Sequence, residues 1–272
     1  MKIYIQTDIE GIAGFCFFEN RKNPSYENIL HRHRMYKLLT GEVNSAVKAA
    51  FDSGADEVYV NDNHGTGYNI VFEELDPRCR IIHGRSGSGG DWLPKLDSSM
   101  DALVLVGMHA MGGTPRSITP HSRWVVNDDA MYLSECTMAC ALAGELGVPA
   151  VMVSGDDKIC AEAREKVPGI VAVEVKEALS AYQACSLIPQ RAQQLIYDGV
   201  RKGISLRHSI APFVIPGPVR LNLLDSDGHV PPLKPMGENV EAQTMTEAFN
   251  IYESKMPWTA GEVALPDGFI FP

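Results

Sequence analysis

The chain has 272 residues, 45% of them hydrophobic, and its formal net charge is −10 at pH 7. A chain of this length and composition can bury a full-sized core, which excludes a disordered protein. The acidic balance argues against nucleic acid or an anionic membrane as the main partner, and no apolar run approaches the ~20 residues of a membrane span.

The N-terminus enters a strand pattern directly, without the apolar stretch and cleavage site of a signal peptide. We therefore expect a cytoplasmic protein. The six cysteines form no CxxC pair, and several lie in apolar segments, so we expect reduced thiols and no disulfide framework.

The predicted elements alternate between strands and helices. In chain order they are a strand at 2–7, a helix at 26–53, a strand at 57–62, a short helix at 70–75, a strand at 102–107, a helix at 133–147, a strand at 150–154, a helix at 157–166, a strand at 171–175 and a helix at 189–202. This alternation predicts an α/β fold with a mostly parallel sheet flanked by helices.

The pattern changes after the last of these helices. Residues 212–224 are strand-like and punctuated by proline, and 237–254 fit a further strand and helix. We therefore predict a larger α/β domain at 1–205, which contains the strand ends discussed below, and a smaller C-terminal α+β region at 206–272. The Gly/Ser-rich stretch at 84–90 lacks the Lys-Ser/Thr of a phosphate-binding loop, so we predict a loop without a ligand there.

Two carboxylates follow the first predicted strand. Asp8 and Glu10 are two residues apart, so in extended chain their side chains point to the same side. Two carboxylates held together raise each other's pKa and destabilise a site, and a divalent cation removes that cost. Gly11 would allow the backbone to turn close to such an ion.

Histidines follow the next two predicted strands. His64 comes after the second strand and His109 after the third, while Glu135 begins the next helix. The carboxyl ends of parallel strands meet at one edge of a sheet, where α/β proteins bind ligands. A single histidine at a strand end is more often a structural residue, and a first-turn glutamate often only favours the helix dipole. The convergence of all five at one edge favours a metal site, with zinc preferred over cobalt or manganese.

His121 lies in a proline-bounded loop downstream of His109. Loops at the carboxyl edge carry catalytic groups, but a surface histidine fits the residue pattern equally well.

Several segments of the sequence match one known family in the same order. They are Thr7-Asp8-Ile9-Glu10-Gly11-Ile12, Glu42-Val43-Asn44 to Gly54, Val60-Asn61-Asp62-Asn63-His64, Gly107-Met108-His109-Ala110, Pro120-His121-Ser122, the Glu135 helix and Val153-Ser154-Gly155-Asp156-Asp157. Through these segments the chain resembles the D-aminopeptidase family of dinuclear zinc peptidases, of the DppA type, from residue 1 to about 200.

The resemblance implies specific roles for these residues. Asp8 would bridge two divalent metal ions, expected to be zinc. Glu10 and His64 would complete one site, His109 and Glu135 the other, and His121 matches the family's catalytic histidine. It also implies a homo-oligomer, a ring-stacked decamer, and short peptide substrates with an N-terminal D-residue such as D-Ala-D-Ala.

We therefore expect a metallo-aminopeptidase that uses a hydroxide held between the two metals. His121 would donate to the developing oxyanion or shuttle a proton, and a direct nucleophilic role is less economical. Three alternatives stay open: another amidase, a two-metal phosphoesterase, and a non-catalytic metal-binding protein. The phosphoesterase needs cations near the site, for which Arg116 and Arg123 are the candidates.

Overall fold

The computed structural model describes residues 1–18, 25–84, 91–226 and 232–256. Most of the loop predicted at 84–90 lies outside these residues. The described strands are β1 (Lys2–Thr7), β2 (Glu57–Asp62), β3 (Arg80–Ile82), β4 (Ala102–Met108), β5 (Arg123–Val126), β6 (Met131–Leu133), β7 (Ala150–Asp156), β8 (Val171–Ser180), β9 (Gln183–Ser186), β10 (Val219–Asp225), β11 (Lys234–Pro235) and β12 (Val240–Ala242).

The described helices account for every longer helix that the sequence predicts. They are α1 (Tyr26–Asp52), α2 (Glu135–Glu145), α3 (Asp157–Lys166), α4 (Pro189–Leu206) and α5 (Met245–Lys255). The short helix expected at 70–75 is a single 3₁₀ turn at Phe72–Glu74.

Within the described residues, the larger sheet has the strand order β3-β2-β1-β4-β7-β8-β9. All of its neighbours pair in parallel except β8 and β9, which form an antiparallel hairpin. α1 packs on α4, and α2 packs on α3, so helices flank the sheet. The predicted α/β class with a mostly parallel sheet is confirmed.

β1 lies between β2 and β4 at the centre of this sheet. β4 is buried along its whole length, and β1 is buried except for partly exposed Lys2, as expected for strands covered on both faces. The parallel pairing aligns Thr7 with Asp62 on one side and with Val106 on the other. Residues that follow these three strands therefore emerge side by side at one edge.

A second, antiparallel sheet has the order β11-β10-β5-β6, with β12 also paired to β10. The sequence analysis did not predict β5 and β6, which have only four and three residues. Such short strands carry almost no periodicity, and β5 is paired by β10 nearly a hundred residues later. Strands from both sides of the predicted boundary near 206 build this sheet. The division at 205/206 stays a prediction.

A capping box at Ser134 fixes the first residue of α2. The Ser134 side chain accepts a hydrogen bond from the Thr137 backbone N–H, and the Thr137 hydroxyl accepts one from the Ser134 N–H. This reciprocal cap fixes Glu135 as the first helical residue, in the turn where a carboxylate is favoured by the helix dipole.

None of the helices in the described part of the chain has the length and apolar character needed to cross a lipid bilayer.

Candidate metal centre

Three neighbouring strands deliver the predicted ligands to one edge of the larger sheet. Asp8 follows β1 directly and Glu10 lies two residues later, His64 lies two residues after β2, and His109 follows β4 directly. Each of these loops leaves the carboxyl end of its strand, so the side chains converge there.

Close backbone contact holds the β1 and β4 loops together. The Gly11 N–H donates to the Gly107 carbonyl oxygen at 2.7 Å, and the Asp8 N–H donates to the Val106 carbonyl oxygen at 2.9 Å. Gly107 has φ +75°, and a Cβ on it would lie 2.3 Å from the Asp8 carbonyl oxygen. Glycine is therefore required here by both conformation and space.

The first group of candidate ligands contains Asp8, Glu10 and His64, whose ligand atoms all lie within 4.8 Å of one another. His64 Nδ1 is 3.1 Å from Asp8 Oδ1 and 3.0 Å from Glu10 Oε2. The His64 ring stacks on Phe18, with ring centroids 5.3 Å apart. The stacking holds the ring with Nδ1 directed at the two carboxylates.

The second group contains His109, His121 and Glu135, again within 4.8 Å. His109 Nε2 is 3.6 Å from Glu135 Oε1, and His121 Nε2 is 3.9 Å from the same oxygen. The Ser122 hydroxyl donates to Glu135 Oε1 at 2.7 Å and fixes the carboxylate. His109 Nδ1 donates to the Ala110 carbonyl oxygen at 2.7 Å, so in the neutral ring Nε2 carries the lone pair that a metal requires.

Asp8, a member of the first group, also faces the second group. Its Oδ1 faces His64, and its Oδ2 lies 3.8 Å from His109 Nε2. In the described part of the chain, Asp8 Oδ2 and His109 Nε2 are both buried without a hydrogen-bond partner. Two ligands bound at about 2 Å to a tetrahedral ion lie about 3–3.5 Å apart, close to this spacing. The orphaned atoms and the mixture of imidazole and carboxylate fit a divalent ion such as zinc.

Burial and mutual charge shift the pKa values within the first group. Burial, together with the Glu10 carboxylate, raises the pKa of Asp8 to about 7. Burial opposes ionisation of Glu10 as well, but the neighbouring His64 lowers the pKa of Glu10 well below its usual range. Burial also disfavours the charged form of His64, and the carboxylates overcome it and raise the pKa of His64 to about 10.

In the second group as well, neighbouring opposite charges outweigh the effect of burial on the pKa values. Burial and His121 disfavour the charged form of His109, but Glu135 and Asp8 raise its pKa to about 9. Burial disfavours the ionised form of Glu135, but the hydrogen bond and the charge of His109 lower the pKa of Glu135 to about 2. The carboxylates thus require positive charge beside them. A bound cation can supply this charge and leave the histidines neutral, as metal ligands must be.

A buried lysine supports the loop that carries Glu10. The Lys176 ammonium on β8 donates to the carbonyl oxygens of Glu10 and Phe15, the latter at 2.9 Å. Nearby, Glu42 of α1 accepts a hydrogen bond from the Ala13 N–H at 2.8 Å. Two buried ionisable side chains from distant parts of the chain therefore hold residues 10–15.

All six residues singled out in the sequence lie together at this edge: Asp8, Glu10, His64, His109, His121 and Glu135. The sequence analysis missed Ser122, Lys176 and Asp225. Asp225 Oδ1 lies 3.2 Å from His121 Nδ1. A carboxylate that ends an apolar strand was the available signal for Asp225. The strand's antiparallel partner was not predicted, so its position relative to the site could not be derived.

The chain is similar to known proteins over most of its length. The family model described as D-aminopeptidase matches residues 1–236, beyond the point near 200 where the resemblance found in the sequence ends. A D-aminopeptidase of Bacillus subtilis (strain 168) is 30% identical over 225 residues, covering 79% of this chain and 78% of that protein.

A solved structure has the same fold. It is the Zn-dependent D-aminopeptidase DppA from Bacillus subtilis, described as a self-compartmentalizing protease, with a TM-score of 0.78 and 26% identity over 92% of this chain and 94% of that one. The family match covers most of the chain and the relative matches over more than two thirds of it. The chain therefore belongs to the D-aminopeptidase family and is a metallo-aminopeptidase, a hydrolase of peptide bonds.

Proposed function

We propose that this protein binds two zinc ions and removes the N-terminal residue from short peptides, with preference for an N-terminal D-residue as in D-Ala-D-Ala. The observation that carries the proposal is the position of Asp8, whose two carboxylate oxygens face histidines of different ligand groups. A carboxylate so placed suits a bridge between two metals. The family and the zinc dependence of the solved relative support the substrate class and the metal.

In this proposal Asp8 would be a ligand shared by both ions, Glu10 and His64 would complete one site, and His109 and Glu135 would complete the other. Two divalent ions held by these residues would supply an activated water at neutral pH and a Lewis acid for the scissile carbonyl. The protein's own contribution is to fix the ligands. The hydroxyl of Ser122 holds Glu135, and the carbonyl of Ala110 sets the His109 tautomer.

His121 is the proposed catalytic residue. Its Nε2 lies 3.6 Å from Glu10 Oε1 and 3.9 Å from Glu135 Oε1, so it faces the space between the two ligand groups. From there it can donate a hydrogen bond to an oxyanion or pass a proton to the departing amine. His121 also belongs to the second candidate ligand group, so a role as metal ligand is the competing assignment.

One of the two arginines named for a phosphoesterase, Arg123, does not favour that alternative. The Arg123 side chain donates to the Gly112 carbonyl oxygen at 2.8 Å and lies over the Tyr132 ring. This guanidinium is held by the protein itself, so it is a poor candidate for a phosphate-binding group. We keep the peptidase as the single proposed activity.

We also propose a homo-oligomer, with a decamer as the specific expectation. The solved relative is described as self-compartmentalizing, which supports assembly. At the start of α1, several large apolar side chains are exposed, with Tyr26 70% and Ile29 51% exposed. Such a patch marks an interaction surface in soluble proteins. Sedimentation of the purified protein should show a species much larger than 29.8 kDa, and a monomer at micromolar concentration would contradict assembly.

The activity is tested with a matched panel of dipeptides. Zinc-reconstituted protein is incubated with D-Ala-D-Ala, D-Ala-L-Ala, L-Ala-L-Ala and N-acetyl-D-Ala-D-Ala, each with and without EDTA. We expect chelator-sensitive release of D-Ala from the first two and none from the acetylated peptide, because the free amine is needed. Release from L-Ala-L-Ala alone would overturn the D-preference. No release from any peptide by protein with two bound zinc ions would overturn the peptidase.

A further inference from the structure

A carboxylate outside both ligand groups contacts the proposed catalytic histidine. Asp225 Oδ1 lies 3.2 Å from His121 Nδ1, and the two residues are 104 positions apart in the chain. A carboxylate beside an imidazole nitrogen accepts that nitrogen's proton in a hydrogen bond and so selects the tautomer of the ring.

The pairing of β10 with β5 brings Asp225 to this position. Leu224 pairs with Arg123, and Leu223 pairs with Trp124, in an antiparallel register. β5 begins two residues after His121, so the next residue of β10 lies alongside the segment that precedes β5. The Ser226 N–H donates to Asp225 Oδ1 at 2.6 Å and orients the carboxylate.

The other side of the His121 ring faces the metal centre. Nε2 lies 3.6 Å from Glu10 Oε1, and the ring stacks on His109 with centroids 4.5 Å apart. The imidazole is therefore held between Asp225 at Nδ1 and the ligand groups at Nε2. Rotation of the ring by half a turn about χ2 would break the contact with Asp225.

We propose that Asp225 is a positioning residue that acts through His121. Its carboxylate keeps the proton on Nδ1 and directs Nε2 at the reacting groups, so Nε2 is the atom that gives or takes a proton. The inference rests on the proposed function, because it extends the catalytic role of His121 to a residue on the second sheet.

Steady-state kinetics with four variants test this role: Asp225→Asn, Asp225→Ala, His121→Ala and the double variant Asp225→Ala/His121→Ala. We expect Asp225→Ala to lower kcat about 10- to 100-fold, the usual effect of removing a group that orients a ring, with KM and zinc content unchanged. Asp225→Asn has nearly the same shape and should also lose activity. Asp128→Asn, on a surface carboxylate of the β5–β6 turn, is the matched control.

The double variant shows whether Asp225 acts through His121 or has an independent effect on the reaction or the structure. If Asp225 acts through His121, the double variant is no slower than His121→Ala alone. A further tenfold loss in the His121→Ala background, or an unchanged kcat in both Asp225 variants, would overturn the proposal.

A spectroscopic measurement keeps the test independent of turnover. In ¹⁵N-histidine-labelled, zinc-loaded protein, with the His121 signal assigned from the spectrum of His121→Gln, we expect Nδ1 to be protonated in the wild type and less so in Asp225→Asn. If no peptide is cleaved but this difference is seen, the proposed function fails and the positioning role stands. If peptides are cleaved and the His121 signal is the same in both proteins, the positioning role fails.

Discussion

Gly107 lies so close to Asp8 that a Cβ on it would sit 2.3 Å from the Asp8 carbonyl oxygen. The contact joins β4 to the loop that carries the central candidate ligand. Because the position of a Cβ is set by the backbone and the Asp8 oxygen belongs to the backbone, no side-chain rotation can relieve this contact. The position of Asp8 therefore depends on the absence of a side chain at residue 107.

Replacing Gly107 with alanine should displace Asp8. We expect Gly107→Ala to lower the free energy of unfolding by about 3 kcal/mol or more and to reduce zinc content, because φ +75° and the backbone contact are both unfavourable for alanine. Gly147→Ala is the matched control, since Gly147 has φ +78° but nothing within 4 Å of its added Cβ. It should cost only about 1–2 kcal/mol and keep its zinc.

The ligand assignment predicts different metal contents for different variants. Wild-type protein should bind two zinc ions per chain, His64→Ala should bind one, and Asp8→Ala should bind fewer than one because a bridging ligand serves both ions. Elemental analysis of dialysed protein measures this directly. If Asp8→Ala and His64→Ala each lost a single ion, Asp8 would belong to one site and would not bridge.

His121→Ala distinguishes catalysis from metal binding. If His121 is catalytic, kcat should fall by about 10²- to 10⁴-fold, the range for removal of a general acid or base, while both zinc ions remain. His208→Ala changes an exposed histidine far along the chain and serves as the control. Loss of one zinc ion from His121→Ala would instead make this residue a ligand, as its place beside His109 and Glu135 allows.

Glu42 should make stability depend on pH. Burial raises the pKa of Glu42 from 4.5 to about 8, against the opposing effects of the Ala13 hydrogen bond and Lys176. The neutral carboxyl therefore stabilises the fold fully below about pH 4.5, and this contribution is lost as the pH rises through about 8. Glu42→Gln keeps an oxygen for the Ala13 N–H and cannot ionise.

Urea unfolding of wild type and Glu42→Gln at pH 5 and pH 8.5 measures this effect. We expect the free energy of unfolding of the wild type, relative to that of Glu42→Gln, to be lower at pH 8.5 than at pH 5 by an amount on the order of a few kcal/mol. Glu241→Gln, at an exposed carboxylate that is not held in the core, should show a nearly constant difference. A constant difference for Glu42→Gln as well would mean that this carboxyl does not titrate with folding.

The sequence alone determined the main sheet and the candidate ligands. Lys2–Thr7 and Ala102–Met108 have clear strand patterns, and the carboxyl ends of parallel strands lie at the same edge of a sheet. A chemically active residue that follows such a strand can therefore be located by local pattern alone. This is why Asp8, Glu10, His64 and His109 could be grouped before the structure was known.

The tertiary structure decided what supports these residues and how His121 is held. β5 has only four residues, and its pairing with β10 depends on a contact that local sequence does not encode. Asp225 and Lys176 reach the site across 104 and 166 residues respectively. Groups so far apart in the chain meet only when the sheets that carry them have formed, because the energy that holds them together comes from packing and hydrogen bonds rather than from periodicity.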